Sequence, residues 1–245
     1  MIRKSADIIF LLDATGSMQP AIDSVKHAIE RFVAALEAPR GDKKLAVYDW
    51  RAAVFAFRDF ECDTDNSAPW FVSNPFTRDV SEVKRQLDAI EATGGGDEPE
   101  SLLDALMKIS QMPSAETTDR QADEDPVAWR DRRSTERFVI VISDARFHKD
   151  VSSTPGVTMD DLVNAFMSLR LHLFMITPAF EDFDGYDDLS MIDRAESFLI
   201  PLEGRTPVNA LREFVQDPLS FGRLFDKMAR DICMCCCCTC GWRED

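Results

Sequence analysis

The sequence predicts an α/β fold, a mostly parallel β-sheet with helices on both faces, and three observations carry that prediction. Short apolar runs alternate along the chain with longer stretches whose apolar residues recur at helical spacing. Two runs, "IIFLL" and "FVIVI", are apolar throughout, as expected of strands covered on both sides. The first is closed by Asp13 and the second, one serine later, by Asp144, so each passes abruptly from core to polar loop at the same end. With 245 residues, 45% of them hydrophobic, the chain has the apolar material for a full core.

The elements follow in order. Residues 8–12 are the first strand. Ile22, Val25, Ile29, Val33 and Leu36 form an amphipathic helix, which Pro39 and Gly41 of "EAPRGDKK" end. "AAVFAFRDF" reads as a second strand, "ECDTDNSAPW" as a polar loop, and "WFVSNPF" as a short edge strand containing Pro75. Val80, Val83, Leu87 and Ile90 make a second helical stripe, ended by "TGGGD"; Leu102, Leu103, Leu106 and Ile109 make a third. Residues 113–136 are charged and lack periodicity, so they are expected as a surface excursion, with the arginines of "WRDRRSTER" solvated. "RFVIVISD" is a strand, "LVNAFMSL" a helix, "LHLFMIT" a strand, "PAFEDFDGYDDLS" an acidic loop and "SFLIP" a last strand. Leu211, Phe214, Leu224, Phe225 and Met228 mark one or two closing helices, broken near Pro218. Strands alternating with helices are joined by right-handed crossovers.

The globular domain is placed at residues 1–231 and a cysteine-rich tail at 232–245. Six of the seven cysteines crowd between Cys233 and Cys240, and only Cys62 lies in the body. A secreted disulfide scaffold would spread them through the chain. Three readings stand for the tail: unstructured thiols, a site for a soft metal such as Zn²⁺ or Cu⁺, or lipidation by palmitoyl groups after an amphipathic helix. It lacks the paired C-x₂-C knuckles of a structural zinc site. A net charge of −16, with no basic patch visible in the sequence, argues against nucleic acid and anionic membranes as partners. The first residues lack the shape of a signal peptide, and no segment reaches the ~20 apolar residues of a membrane-spanning helix. A soluble, cytoplasmic protein is the expectation.

In a sheet of this kind, ligands bind just beyond the carboxyl ends of the strands. Asp13 and Asp144 should reach that edge together, and the turn "TGGGDEPES" could bring Asp97 there. With Thr15 and Ser17 these make five hard oxygen donors, a set suited to Mg²⁺, Mn²⁺ or Ca²⁺ and unsuited to zinc or copper. Leaving the strand, residues 13, 15 and 17 face one way if the stretch stays extended, and Gly16 permits a close turn. One acid with two neutral hydroxyls leaves a bound cation electron-poor and still wanting an anionic ligand. Local alternatives exist. Ser17 would serve as the N-cap of a helix beginning near Met18, with Pro20 in its first turn, and Asp97 with Glu100 matches a capping box. His27 and His172 read as surface or packing residues, while His148 falls near the rim of the site.

"DATGS" resembles the D-x-[ST]-x-S signature of von Willebrand factor type A (vWA) domains, which forms a metal-ion-dependent adhesion site (MIDAS) on a Rossmann-like sheet. "VFAFRDF" is similar to that family's second strand, "TGGGDEPESLLDAL" to its second metal loop, and "FVIVISDARFH" to the strand with its third. The resemblance spans roughly residues 5–230. It implies the vWA fold, with Asp13, Thr15 and Ser17 as first-loop metal ligands and Asp144 as a carboxylate that often acts through water. Asp97 stands where the family usually has Thr; such an acid would raise cation affinity and lower the metal's pull on an acidic partner. The implied function is that of a binding module and not an enzyme. Such a module binds Mg²⁺, Mn²⁺ or Ca²⁺ and captures an Asp or Glu of a protein partner through it. Intracellular members of the family serve as scaffolds or as subunits beside AAA-type ATPases. Two alternatives stand beside it. "FLLDATGS" superficially resembles the phosphatase signature D-x-D-x-[TV], which would mean Mg²⁺-dependent phosphoryl transfer, yet Thr15 takes the place of the second acid. The other is a thiol- or metal-delivery protein acting through the cysteine-rich tail.

Overall fold

Side chains two apart along a strand share a face, and the central strand, β1 (Ser5–Asp13), shows it throughout. Ile8, Phe10 and Leu12 enter one hydrophobic core, while Ile9 and Leu11 enter the other, all fully buried. The computed structural model describes residues 5–37, 49–63, 69–96, 98–115 and 125–237. Around β1 stand β2 (Trp50–Phe57), β3 (Phe71–Ser73), β4 (Thr135–Ile142), β5 (Leu171–Pro178) and β6 (Ala195–Ile200). The sheet order is β3-β2-β1-β4-β5-β6. Every pairing is parallel except that of the short edge strand β3 with β2. Parallel strands need crossovers, and helices supply most of them.

On the first face lie α1 (Ile22–Glu37), α2 (Val80–Asp88), α6 (Pro207–Gln216) and α7 (Pro218–Cys237). Their apolar stripes, among them Val25, Ile29, Val83, Leu87, Leu211, Val215, Leu224 and Met228, join Ile8, Phe10 and Leu12 in one core. The second face carries α3 (Leu102–Ser110), α4 (Met159–Leu169) and α5 (Gly185–Leu189), whose Leu103, Leu106, Leu162, Phe166 and Leu189 meet Ile9 and Leu11. Each such side chain, fully buried, is worth about 1.5–3 kcal/mol relative to exposure. Asp79 caps α2 by accepting from Ser81 N at 2.8 Å, and Thr158 with Asp161 forms a capping box on α4.

Three expectations are corrected. The segment 113–136 is not wholly a surface excursion: Ala128, Trp129, Arg130 and Asp131 are buried. The cause is Asp7, a carboxylate of β1 with no exposed surface, which cannot stay ionised in the interior unpaired. Arg130 Nε donates to its Oδ1 at 2.8 Å and the Arg130 backbone N to its Oδ2 at 2.9 Å. Arg51 Nη2 donates to the same Oδ2 at 2.8 Å. Trp129 fills the space beside Phe76, with ring centroids 5.2 Å apart. Of the arginines in "WRDRRSTER", Arg130 and Arg137 are therefore internal, not solvated. The acidic loop before β6 contains the short helix α5, anchored by Tyr186, whose hydroxyl donates to the Ala145 carbonyl at 2.7 Å. The closing helix α7 does begin at Pro218, and its backbone stays helical to Cys237, through the first cysteines of the tail. The breaker "EAPRGDKK" lies, from Ala38 onward, outside the described residues, as do Asp97 and the last cysteines.

Candidate functional site

Because the five long strands are parallel, their carboxyl ends share one rim, and the loops leaving β1, β2 and β4 meet there. The β1 loop tightens at once into a single 3-10 turn, Gly16–Met18. That turn corrects the extended geometry expected for residues 13–17, and it brings the side chains together by curling. Thr15 Oγ1 donates to Asp13 Oδ1 at 2.6 Å and lies 3.1 Å from Ser17 Oγ, which donates to Asp144 Oδ1 at 3.0 Å. Four of the five expected site residues thus form one continuous string across two loops. Asp97 lies outside the described residues.

The capping alternative for Ser17 falls. Ser17 sits inside the 3-10 turn and gives its hydroxyl to Asp144, and α1 starts only at Ile22. The helix after the glycine turn starts at Leu102 with Ser101 as N-cap, and Asp97, the other half of the expected capping box, lies outside the described residues.

The glycine turn is sewn to the β1 loop. Gly16 N donates to the Gly94 carbonyl and Thr93 N to the Ala14 carbonyl, each at 2.9 Å. Gly95 adopts φ +83°, and a Cβ there would stand 2.7 Å from Thr15 Cβ and 3.1 Å from Glu100 Oε1. Only glycine admits both the left-handed backbone and that approach. Asp63 holds the turn from the outside, accepting from Gly95 N at 2.8 Å.

Three side chains join the site that sequence reading did not place there. Ser143 Oγ donates to Asp13 Oδ2 at 2.7 Å, so both oxygens of Asp13 are engaged. Arg58 supplies positive charge, although its guanidinium donates to the carbonyls of Thr93, Pro69 and Glu91 and, among the described residues, to no carboxylate. Glu100 is buried and lines the same cleft as Thr15, Ser17 and Asp144, with its Oε2 lacking a hydrogen-bond partner among the described residues. Its main chain is clamped by the β4 loop, Glu100 N donating to the Arg146 carbonyl at 2.9 Å and His148 N to the Glu100 carbonyl at 3.0 Å. The signals were faint: Ser143 merely precedes an acid, and Glu100 was legible only as a capping partner. His148 Nε2, from the expected rim group, lies 3.8 Å from Asp59 Oδ1.

The electrostatics are those of an acid cluster short of cations. Burial raises the Asp13 carboxyl above the usual aspartate range, against the hydrogen bonds from Thr15 and Ser143 that lower it. Asp144 is pushed up to about 7 by burial and then by the charge of Asp13. Glu100 is pushed up to about 9 by burial and then by Asp13, Asp59, Asp144 and Asp63. Among the described residues no group of three or more His, Cys, Asp or Glu is arranged to hold a metal by itself. Any cation here would draw on hydroxyls as well, and the donors present are carboxylates and hydroxyls that a hard divalent cation takes. The orphaned Glu100 oxygen and the mutual repulsion of Asp13 and Asp144 fit such an ion. The cleft lined by Thr15, Ser17, Glu100 and Asp144 has a volume of about 280 Å³.

No protein-family model matches the chain. The α-protein kinase vwkA of Dictyostelium discoideum is 26% identical over 178 residues, covering 69% of this chain and 24% of that protein. The chain thus spans about a quarter of the length of that curated relative. Among solved structures, the SpRpn10 VWA domain superposes with a TM-score of 0.51 at 10% identity, over 85% of this chain and 94% of that one. Proximal thread matrix protein 1 from the mussel byssus gives 0.54 at 12% identity, over 95% of this chain and 47% of that one. The pilus adhesin SpaC from Lactobacillus rhamnosus GG gives 0.53 at 12%, over 95% and 31%. At such identities the likeness is one of fold: the chain has a vWA-like α/β fold.

Proposed function

We infer that the chain is a cytoplasmic, non-catalytic protein-interaction module of the vWA type. In this reading a divalent cation, Mg²⁺ or in its place Mn²⁺ or Ca²⁺, is held by Asp13, Thr15, Ser17, Asp97 and Asp144. Through it the module captures an Asp or Glu of a protein partner, of which an AAA-type ATPase or another complex subunit is one class. The observation that carries the reading is the string Asp13–Thr15–Ser17–Asp144 beside a cleft, next to a buried glutamate oxygen that has no hydrogen-bond partner among the described residues. A bound divalent cation supplies Lewis acidity toward an incoming carboxylate. The chain's own residues do the rest. Asp13, with both oxygens engaged, fixes the Thr15 hydroxyl and the turn behind it. Asp144 and Ser17 hold the far side, and the glycine turn keeps bulk away from the opening. The likeness of the fold to that of a pilus adhesin and of a VWA domain supports the binding reading.

The test is affinity capture from a lysate with the full chain as bait, in Mg²⁺ and in EDTA. A partner retained in Mg²⁺ and released by EDTA, and lost with Asp13→Asn, supports the reading; a partner indifferent to both refutes metal-bridged capture.

A further inference from the structure

The cleft at the carboxyl rim has charged surroundings that the cation reading leaves unused. Five acids and no lysine or arginine fall between Ala179 and Ser190, the segment that leaves β5 and includes α5. Two contacts fasten this segment to the cleft. Tyr186 Oη donates to the carbonyl of Ala145, a cleft-lining residue next to Asp144. Arg146 reaches from Glu98, which also lines the cleft, to Asp182: its Nη1 donates to Glu98 Oε1 at 3.1 Å and its Nη2 to Asp182 Oδ1 at 2.5 Å. Asp182 thus stands one guanidinium's breadth from the cleft wall.

The cations of this rim do not cancel its acids. Among the described residues, the loops leaving the carboxyl ends of the strands and the glycine turn hold four lysines and arginines: Arg58, Arg146, Lys149 and Arg205. Arg58 is buried and gives its guanidinium to three carbonyls. Each of the others lies between two acids. Arg146 has Glu98 and Asp182, Lys149 has Asp184 and Asp188, and Arg205 has Glu203 and Glu213. His148 faces the buried Asp59. Glu181 and Asp187 are exposed and make no ion pair among the described residues. A surplus of negative charge therefore faces solvent beside the cleft.

Two further observations point to what these surroundings receive. Glu100, 4% exposed and in the lining of the cleft, keeps Oε2 without a hydrogen-bond partner among the described residues, so the cleft itself wants a cation or a donor. The acidic segment also offers aromatic faces between its carboxylates. The Arg146 guanidinium carbon lies 4.5 Å from the centre of the Phe180 ring, and Lys149 Nζ lies 5.7 Å from that of Phe183. Carboxylate beside ring is the environment that guanidinium and ammonium groups bind. Both rings are only half-buried. One divalent cation brings two positive charges, as many as Asp13 and Asp144 balance, so a lone carboxylate approaching past Glu98 and Asp182 is still repelled.

We propose that the acid captured at this cleft is carried on a basic segment: the partner flanks its Asp or Glu with lysine or arginine, and the acids of residues 181–188 take these up. The proposal rests on the cation reading of the site and adds the chemistry of the partner to it. The metal takes the partner's carboxylate, while Glu98, Asp182 and Asp184 set which carboxylates are admitted. Charge complementarity of this kind speeds encounter with basic segments and rejects acidic ones.

The experiment offers the full chain four fluorescent peptides in one glycine–serine frame, with Lys-Asp-Lys, Ser-Asp-Ser, Glu-Asp-Glu or Lys-Ala-Lys at the centre. Anisotropy is read in MgCl₂ and in EDTA. In Mg²⁺ the Lys-Asp-Lys peptide should bind about ten-fold more tightly than Ser-Asp-Ser, with Glu-Asp-Glu weaker still, and added salt should compress the order. Asp182→Asn and Asp184→Asn should each narrow that gap roughly three-fold. Both should keep the Mg²⁺-induced rise in Tm, which also shows that they fold. Mg²⁺-dependent binding that is blind to the flanking residues overturns the basic-segment proposal and leaves the metal bridge standing. Lys-Asp-Lys binding that survives EDTA, or that Lys-Ala-Lys matches, overturns the bridge and the proposal with it, as does the failure of every peptide to bind.

Discussion

Replacing Asp13 by asparagine removes one charge from the centre of the acid cluster while keeping its shape. Asp13 accepts three hydrogen bonds, from Thr15 N at 3.0 Å, Thr15 Oγ1 at 2.6 Å and Ser143 Oγ at 2.7 Å. An asparagine carbonyl still accepts the two from Thr15. Its amide meets Ser143, whose hydroxyl rotates from donor to acceptor. The cost is about 1 kcal/mol, and relief of the repulsion among Asp13, Asp144 and Glu100 offsets it, so the fold survives. Cation binding does not, because the central carboxylate is gone. A ligand present at a hundred times its Kd stabilises the folded state by about 2.7 kcal/mol. In a domain of this size that raises Tm by roughly 5–10 °C. Thermal melting in EDTA and across a MgCl₂ titration reads both quantities. The expected result is a wild-type Tm that climbs with Mg²⁺ and an Asp13→Asn variant that melts near the wild type in EDTA and stays flat. An Asp13→Asn protein with the wild-type Mg²⁺ response would refute the assignment of the site.

Glu100→Gln should alter the pH dependence of the cation-free protein. A carboxyl raised from 4.5 to about 9 contributes stability that is complete below its unfolded pKa and lost as pH climbs through its folded one. In EDTA the wild type should therefore weaken from the ordinary glutamate range up to about pH 9, by more than about 1 kcal/mol. The variant should be flatter, most clearly above the titration of Asp144 near 7, as followed by urea denaturation. Arg130→Ala should destabilise by about 3–5 kcal/mol, since it removes one of the two guanidinium groups that pair with the buried Asp7 and leaves only Arg51 and the residue-130 backbone N, while the Mg²⁺-induced shift in Tm persists. Equal loss of the Mg²⁺ shift would mean that the two ends of β1 are not independent.

What the sequence made legible follows from periodicity. The apolar runs of β1 and β4 could only be buried parallel strands, and a period of two then assigned their side chains to two cores. The stripe Ile22, Val25, Ile29, Val33 gave α1 for the same reason. Asp13 and Asp144 were legible because an acid ending such a run lies at a known rim. Pairings distant in sequence were invisible. Nothing near Asp7 foretells Arg130, 123 residues away, and so the segment holding it read as solvated. Glu100 was hidden because its burial depends on the β4 loop clamping its main chain. The 3-10 turn after Asp13 is a further case: it closes where Gly16 meets Gly94, a contact between loops that no local pattern encodes.

A sheet whose long strands all run one way has a top and a bottom, and β1 sets the height between them: nine residues, about 30 Å. Asp13 stands at one end of that height and Asp7, with its arginines, at the other, about 20 Å away along the same strand, so no direct contact joins them and any coupling between the two ends has to travel through the strand itself.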